Sequence, residues 1–171
     1  MGLLRTKHLR KSYNGRVVVD DVSFHVQPSE ITGLLGRNGA GKTTSFRMTV
    51  GMIEPDDGSV LFAGQDVSRL PMYKRARLGM GYLSQEPSIF TRLSCEQNLL
   101  AILETLGMPR RQRKTKAAEL LDRFGLRHKA RDPARTCSGG ERRKLEIARA
   151  LVTEPSLILM DEPFSGVDPI A

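Results

Sequence analysis

Along the first third of the chain, apolar positions alternate with polar ones in short runs separated by turn residues. Val22, Phe24 and Val26 form one period-two run, and the Asn14-Gly15 dipeptide before it is a strong turn signal. Residues 1–35 therefore read as short strands, mostly a small antiparallel β region. Pro28-Ser29-Glu30 breaks the alternation, and the compact apolar run Ile31 to Leu35 predicts a strand entering a glycine-rich loop, with a helix following from Lys42. A turn at Glu54-Pro-Asp-Asp-Gly58 precedes predicted strands at Ser59 to Ala63 and Gly79 to Leu83.

From about Cys95 to Ala150 the period lengthens to that of helices. Leu99, Ile102, Leu103 and Leu106 share one helical face, as do Leu120, Leu121 and Phe124, with stop signals at Gly107, Pro109 and Gly125. A third helix is expected after Ser138, with Leu145, Ala148, Leu151 and Val152 on one side and its end near Glu154-Pro155. Leu157 to Met160 then reads as a buried-type strand, followed by Asp161-Glu162-Pro163. The order is a β region, an α/β unit, a helical insertion and a return to the α/β sheet.

Composition narrows the class. The chain has 171 residues, 39% hydrophobic and 27% charged, which suits one globular domain and excludes a disordered or low-complexity chain. No apolar run approaches the ~20 residues needed to span a bilayer. Two cysteines, Cys95 and Cys137, and no apolar leader point to a reducing compartment with both thiols reduced. The net charge of +8 is unevenly spread: residues 107–149 hold 14 Lys or Arg against 5 Asp or Glu, and the rest of the chain carries a small negative excess. Solvated faces of basic helices account for this pattern, as would a surface for anionic headgroups or a partner.

Chemistry concentrates in three places. Gly36-Arg-Asn38-Gly39-Ala40-Gly41-Lys42-Thr43-Thr44 fits G-x-x-x-x-G-K-[ST] between a predicted strand and a predicted helix. Its glycines let backbone N–H groups turn inward to phosphate oxygens, the helix N-terminus adds partial positive charge, Lys42 reaches the β- and γ-phosphates, and Thr43 suits Mg2+. Leu157 to Glu162 is an apolar strand delivering two carboxylates at its end, Asp161 for a Mg2+ shell and Glu162 to polarise a water. Ser138-Gly139-Gly140-Glu141 opens a helix, and Ser138 with Glu141 also satisfies a capping box.

With Gln85 in a loop after a strand, these motifs in this order resemble the ATP-binding subunits of ABC transporters over essentially the whole chain. The resemblance implies Walker A at Gly36 to Thr44, a Q-loop at Gln85, the signature at Ser138 to Glu141, Walker B ending at Asp161-Glu162, and a D-loop at Ser165-Gly-Val-Asp168. It further implies ATP and Mg2+ as cofactors, with Thr43, Gln85 and Asp161 on the metal, Glu162 and Gln85 in catalysis, and Tyr13 stacked on adenine. A tyrosine closing a strand end is the alternative reading of Tyr13. Ser138, Gly139, Gly140 and Asp168 would meet nucleotide held by a second copy in a head-to-tail homodimer. Permease subunits in the membrane would dock on Gln85 to Arg92, with Phe90 either their contact or a core residue, and no nucleic acid is expected. The location implied is cytoplasmic, peripheral on the inner face of the plasma membrane.

Three longer runs, Ser84 to Ser94, Gly140 to Arg149 and Asp161 to Pro169, are more specifically similar to the ATPases of lipopolysaccharide export, and ATPases of amino-acid importers look similar. Cys137 stands where the family usually has leucine, and Arg37 and Ser84 where proline is more usual. The switch histidine of the family follows the D-loop, whereas His8, His25 and His128 all precede it. The expectation is a domain incomplete at its C-terminus, either hydrolysing ATP or binding it without turnover. A chromosome-maintenance or DNA-repair ATPase would insert a long coiled coil between Walker A and the signature, and no sustained heptads occur there. A translation factor of the superfamily carries two cassettes, too many for this length. The fold expected is thus an α/β P-loop NTPase of ABC type, mainly a parallel sheet, with core at 1–90 and 151–171 and a helical subdomain at about 91–150.

Overall fold

The Asn14-Gly15 turn folds the N-terminus into a hairpin of β1 (Leu4–Tyr13) and β2 (Arg16–Val26) in the computed structural model, which describes residues 2–162. The hairpin pairs Leu4 with Val26 and Tyr13 with Arg16. β1 also pairs antiparallel with β3 (Asp57–Phe62), which pairs with the short β4 (Gln65–Asp66), giving the sheet order β2-β1-β3-β4. A bulge in β1 at His8, whose φ is 50°, breaks the two-residue period. Leu4, Thr6 and Leu9 consequently stay on the buried side although their spacing changes from two to three. Thr6 is accommodated there because its hydroxyl donates to Phe24 O and accepts from Phe24 N.

Two helices complete this first unit, which ends at Met80. α1 (Lys42–Val50) buries Met48 and Val50, and α2 (Met72–Arg77) carries the fully buried Arg75. The Arg75 guanidinium donates to Met48 O, Thr49 O, Ser68 O and Leu70 O at 2.7–2.8 Å, so it closes the carbonyl end of α1 from the side. Gly51, left-handed at φ 80°, ends the helix where a Cβ would fall 2.6 Å from Arg75 Nε.

One expectation fails here. Ile31 to Leu35 forms no strand, and Ile31 and Leu35 are almost wholly exposed. A strand needs hydrogen-bonded neighbours, and none of the strands among the described residues pairs with this run.

The second unit begins at Gly81. β5 (Met80–Leu83), whose first residue closes the first unit, pairs with β6 (Leu157–Met160). Gly81 lies against Ile158, and Leu83 O accepts from Asp161 N at 3.0 Å, so the two strands run in the same direction. Parallel pairing among the described residues is confined to this pair, where a mainly parallel sheet was expected. Met160 at the end of β6 is exposed and only Leu159 is buried, so the strand is less enclosed than its apolar sequence suggests.

Between them α3 (Cys95–Leu103), α4 (Arg110–Arg123) and α5 (Gly139–Leu151) share a core of Leu99, Leu103, Leu121, Leu126, Leu145 and Ala148. Leu106 is exposed because α3 tightens into a 3-10 turn over Glu104–Leu106, which moves it off the apolar face. The basic residues Arg110, Arg111 and Lys114 of α4 lie exposed, while Arg113 and Lys116 pair with Glu104 and Glu154. No helix among the described residues is long and apolar enough to cross a membrane.

Candidate nucleotide site

Each unit carries its own part of the chemistry. In the first, the loop 36–41 lies largely exposed ahead of α1. Gly39 and Gly41 are left-handed at φ 79° and 83°, and a Cβ on Gly41 would stand 2.6 Å from Val18 O. Only glycine fits that combination of conformation and close approach. Gly41 is also the N-cap of α1, with no side-chain cap and no acidic residue in the first turn. The N-terminal N–H groups and the positive end of the helix thus meet no carboxylate from their own first turn, which suits an anion site.

Lys42 turns back along the loop and donates to Gly36 O at 2.7 Å and Arg37 O at 2.9 Å. The loop is therefore curled around an ammonium group that can exchange two carbonyls for phosphate oxygens. Asn38, Ala40 and Thr44 belong to the same turn and first helical turn, with Ala40 N donating to Arg37 O at 3.1 Å. Tyr13, at the end of β1, is half exposed with Lys11 Nζ 5.7 Å from its ring centroid, so the ring is not part of a core.

In the second unit, Gln85 follows β5 and Glu162 follows β6. Gln85 Nε2 donates to Glu162 Oε2 at 2.7 Å, which ties the ends of the two parallel strands together. With that nitrogen engaged, the oxygen Oε1 is the atom Gln85 would offer a cation. Asp161 sits beside them, buried at the strand end. Glu162 has φ 45°, a left-handed conformation that is uncommon for a residue with a side chain. Within this unit the Gln85 amide oxygen and the Asp161 carboxylate are hard oxygen donors of the kind Mg2+ takes, and in the first unit the Thr43 hydroxyl is another.

Ser138 caps α5 as expected. Its hydroxyl accepts from Glu141 N at 3.2 Å and Glu141 Oε2 accepts from Ser138 N at 2.8 Å. The Ser138 N–H bond chiefly holds the Glu141 carboxyl below the ordinary glutamate range. Nothing lies close to the positions where Gly139 and Gly140 would carry a Cβ, so the backbone there is open to an approaching ligand. Asp168 and the rest of the run Ser165 to Asp168 lie outside the described residues.

Sequence reasoning missed how α5 holds the segment after Gln85. Glu146, 6% exposed, accepts from Ser88 N at 3.2 Å and pairs with Arg143 Nη1 at 2.9 Å, and Arg143 also donates to Ser84 O. Arg149 donates to Ser88 Oγ at 2.6 Å and stands 5.2 Å from the centroid of Phe90. From α3, the buried Asn98 side chain accepts from Phe90 N and donates to Phe90 O. Phe90 itself is 48% exposed, which removes the core reading of this residue. The three-residue spacing of Arg143, Glu146 and Arg149 was the available signal: a polar stripe with one acid between two bases on a helix.

A family model described as ABC transporter matches residues 19–165. The lipopolysaccharide export system ATP-binding protein LptB of Haemophilus influenzae is 51% identical over 172 aligned residues, covering 100% of this chain and 71% of that protein. The LptB protein of Escherichia coli K12 matches with the same identity and coverage. An uncharacterized ABC transporter ATP-binding protein of Rhizobium meliloti is 52% identical, covering 99% of this chain and 63% of its own. Among solved structures, the ADP conformation of MJ1267, an ATP-binding cassette of an ABC transporter, superposes with a TM-score of 0.87 at 29% identity, covering 99% of this chain and 72% of that one.

Proposed function

The chain belongs to the ABC transporter family of ATP-binding domains, and we propose that it is the ATP-hydrolysing subunit of a lipopolysaccharide-export transporter, working on the cytoplasmic face of the inner membrane. The substrate assignment rests on the 51% identity to lipopolysaccharide-export proteins across the full chain, since a nucleotide site has no information about cargo. The observation that best supports hydrolysis is the bond between Gln85 and Glu162 at the ends of β5 and β6.

Phosphates bind along the backbone of residues 36–44, with Lys42 released from Gly36 O and Arg37 O to neutralise the β- and γ-oxygens. Thr43, Asp161 and Gln85 would hold Mg2+, which when bound polarises the terminal phosphoryl group. Glu162, oriented by Gln85, accepts a proton as water attacks the γ-phosphorus, and the bond to the β-phosphate oxygen breaks to leave ADP and inorganic phosphate. Tyr13, presenting an exposed ring, stacks on adenine.

ABC ATP-binding subunits act as dimers with membrane components. In this chain the open backbone at Gly139 and Gly140 and the capped Ser138 would meet nucleotide held by a second copy, head to tail, together with Asp168. The segment Gln85 to Arg92 receives the permease, with the exposed Phe90 ring as its contact and α5 as the element that senses it. The basic face of α4 suits anionic headgroups or partner subunits.

Glu162→Gln keeps the size and the bond partner while removing the base. Light scattering of this variant with saturating ATP and Mg2+ is expected to show a stable dimer, with hydrolysis reduced about 100-fold or more. A monomer under those conditions would overturn the sandwich, and unchanged turnover would remove Glu162 from the chemistry.

A further inference from the structure

Cys95 and Cys137 are both buried, at 0% and 4% exposure, and their sulfurs stand 3.5 Å apart across 42 residues of sequence. Neither belongs to the nucleotide chemistry. Cys95 is the first residue of α3, and Cys137 is the residue immediately before the signature serine. The two segments that carry them are already fastened side by side. Cys95 N donates to Asp132 O at 3.1 Å, Ala134 N donates to Leu93 O at 2.8 Å, and Ser94 forms a bridge with Pro133. Closing the sulfurs to the ~2.0 Å of a disulfide therefore asks for about 1.5 Å of side-chain movement, shared between the two residues.

We propose that Cys95 and Cys137 are an internal disulfide site, through which a peroxide oxidant covalently ties the approach to Ser138 onto α3. Cys137 is the entry point because it alone retains some exposure, and it lies in the short stretch between a 3-10 turn and α5. Its sulfur attacks one peroxide oxygen, the O–O bond breaks, water leaves and the cysteine becomes a sulfenic acid. The Cys95 sulfur then attacks the Cys137 sulfur, the S–O bond breaks, and the hydroxyl departs with the Cys95 proton as a second water. Two thiols lose two electrons and the peroxide oxygens gain them. Burial, followed by the bond to Cys137, pushes the Cys95 thiol up to about 12, which disfavours its thiolate in the first step.

The consequence falls on the support of Ser138. In the thiol form the Cys137 carbonyl accepts from Arg142 Nη2 at 3.2 Å, a bond within the same helix start. In the disulfide form the same residue is anchored to a second helix. The site is particular to this chain's pair of cysteines and does not depend on the transport reading.

The test uses the reduced protein treated with hydrogen peroxide, then unfolded, alkylated and weighed. The expected product has lost about 2 Da, resists alkylation at both cysteines, yields a peptide linking 95 to 137, and forms at the same rate when the protein is diluted about tenfold. Its Tm should rise by about 5–10 °C and return on treatment with dithiothreitol. Cys137→Leu should abolish the linked peptide. Sulfinic or sulfonic acid at Cys137 with Cys95 still alkylated, a link between two chains, or full alkylation of both residues after treatment would each overturn the proposal. Because dilution and peptide mapping use the unaltered sequence, they decide the question even if a substituted protein folds poorly.

Discussion

The glycine-rich loop ahead of α1 and the segment clamped by α5 solve the same problem, holding exposed backbone in place, by opposite means. Residues 36–44 are fixed almost entirely by their own backbone: left-handed glycines, a bare helix start and a lysine bonded to two carbonyls within six residues of itself. The segment from Ser84 to Phe90 is fixed by side chains 58 to 61 residues away in α5 and by Asn98 in α3. A loop of the first kind presents donors to whatever anion arrives, and the hydrogen bonds that shape it are local. A segment of the second kind cannot move without moving a helix. On the function proposed above, that difference would suit one for binding phosphate and the other for passing a displacement from a membrane partner to Ser138, at the start of the same helix.

The sharpest way to separate the two is to remove function without touching the fold. Lys42→Ala should weaken ATP binding about 100-fold, followed with labelled nucleotide because the chain has no tryptophan, and leave thermal stability within about 0.5 kcal/mol. Glu146→Ala should do the reverse. It removes the buried carboxylate that Ser88 N–H and Arg143 share and is expected to cost about 2 kcal/mol in urea unfolding, with intrinsic nucleotide affinity unchanged. If Glu146→Ala instead lowered affinity as much as Lys42→Ala, the two regions would not be separable.

A smaller effect is expected at the start of α5. Ser138→Ala removes the cap and should cost about 1 kcal/mol, read by the same unfolding measurement. The smallest is a pH effect. The Glu141 carboxyl is held below the ordinary glutamate value, so its contribution is present above that value and fades as pH falls through the depressed one. The stability difference between the wild type and Glu141→Gln should therefore shrink on acidification from neutrality to below about pH 4, and a difference that grew would reverse the sign assigned to that bond.

What could be read from the sequence divides along the same line. The glycine-rich loop, the start of α1 at Lys42, the capping box at Ser138 and the carboxylates after β6 are local patterns, and spacing along the chain is enough to place them. Arg75 and the Arg143–Glu146–Arg149 stripe act on groups 26 to 61 residues away, and a local period, though it marks the stripe, does not name its partners. The bulge at His8 likewise shifts Leu9 onto the buried side in a way that strict alternation hides. The strand expected at Ile31 to Leu35 failed for a related reason: hydrophobicity states that a run wants company and says nothing about who supplies it.

That apolar run has a practical side. Two aliphatic side chains standing almost fully in water, on backbone with no partner strand among the described residues, amount to a sticky edge. Yield and monodispersity of a purified sample should then depend on protein concentration, ionic strength and storage time far more than the chain's strong positive charge would suggest. Lysine placed at Ile31 or Leu35 would be the first remedy for a preparation that clouds on standing.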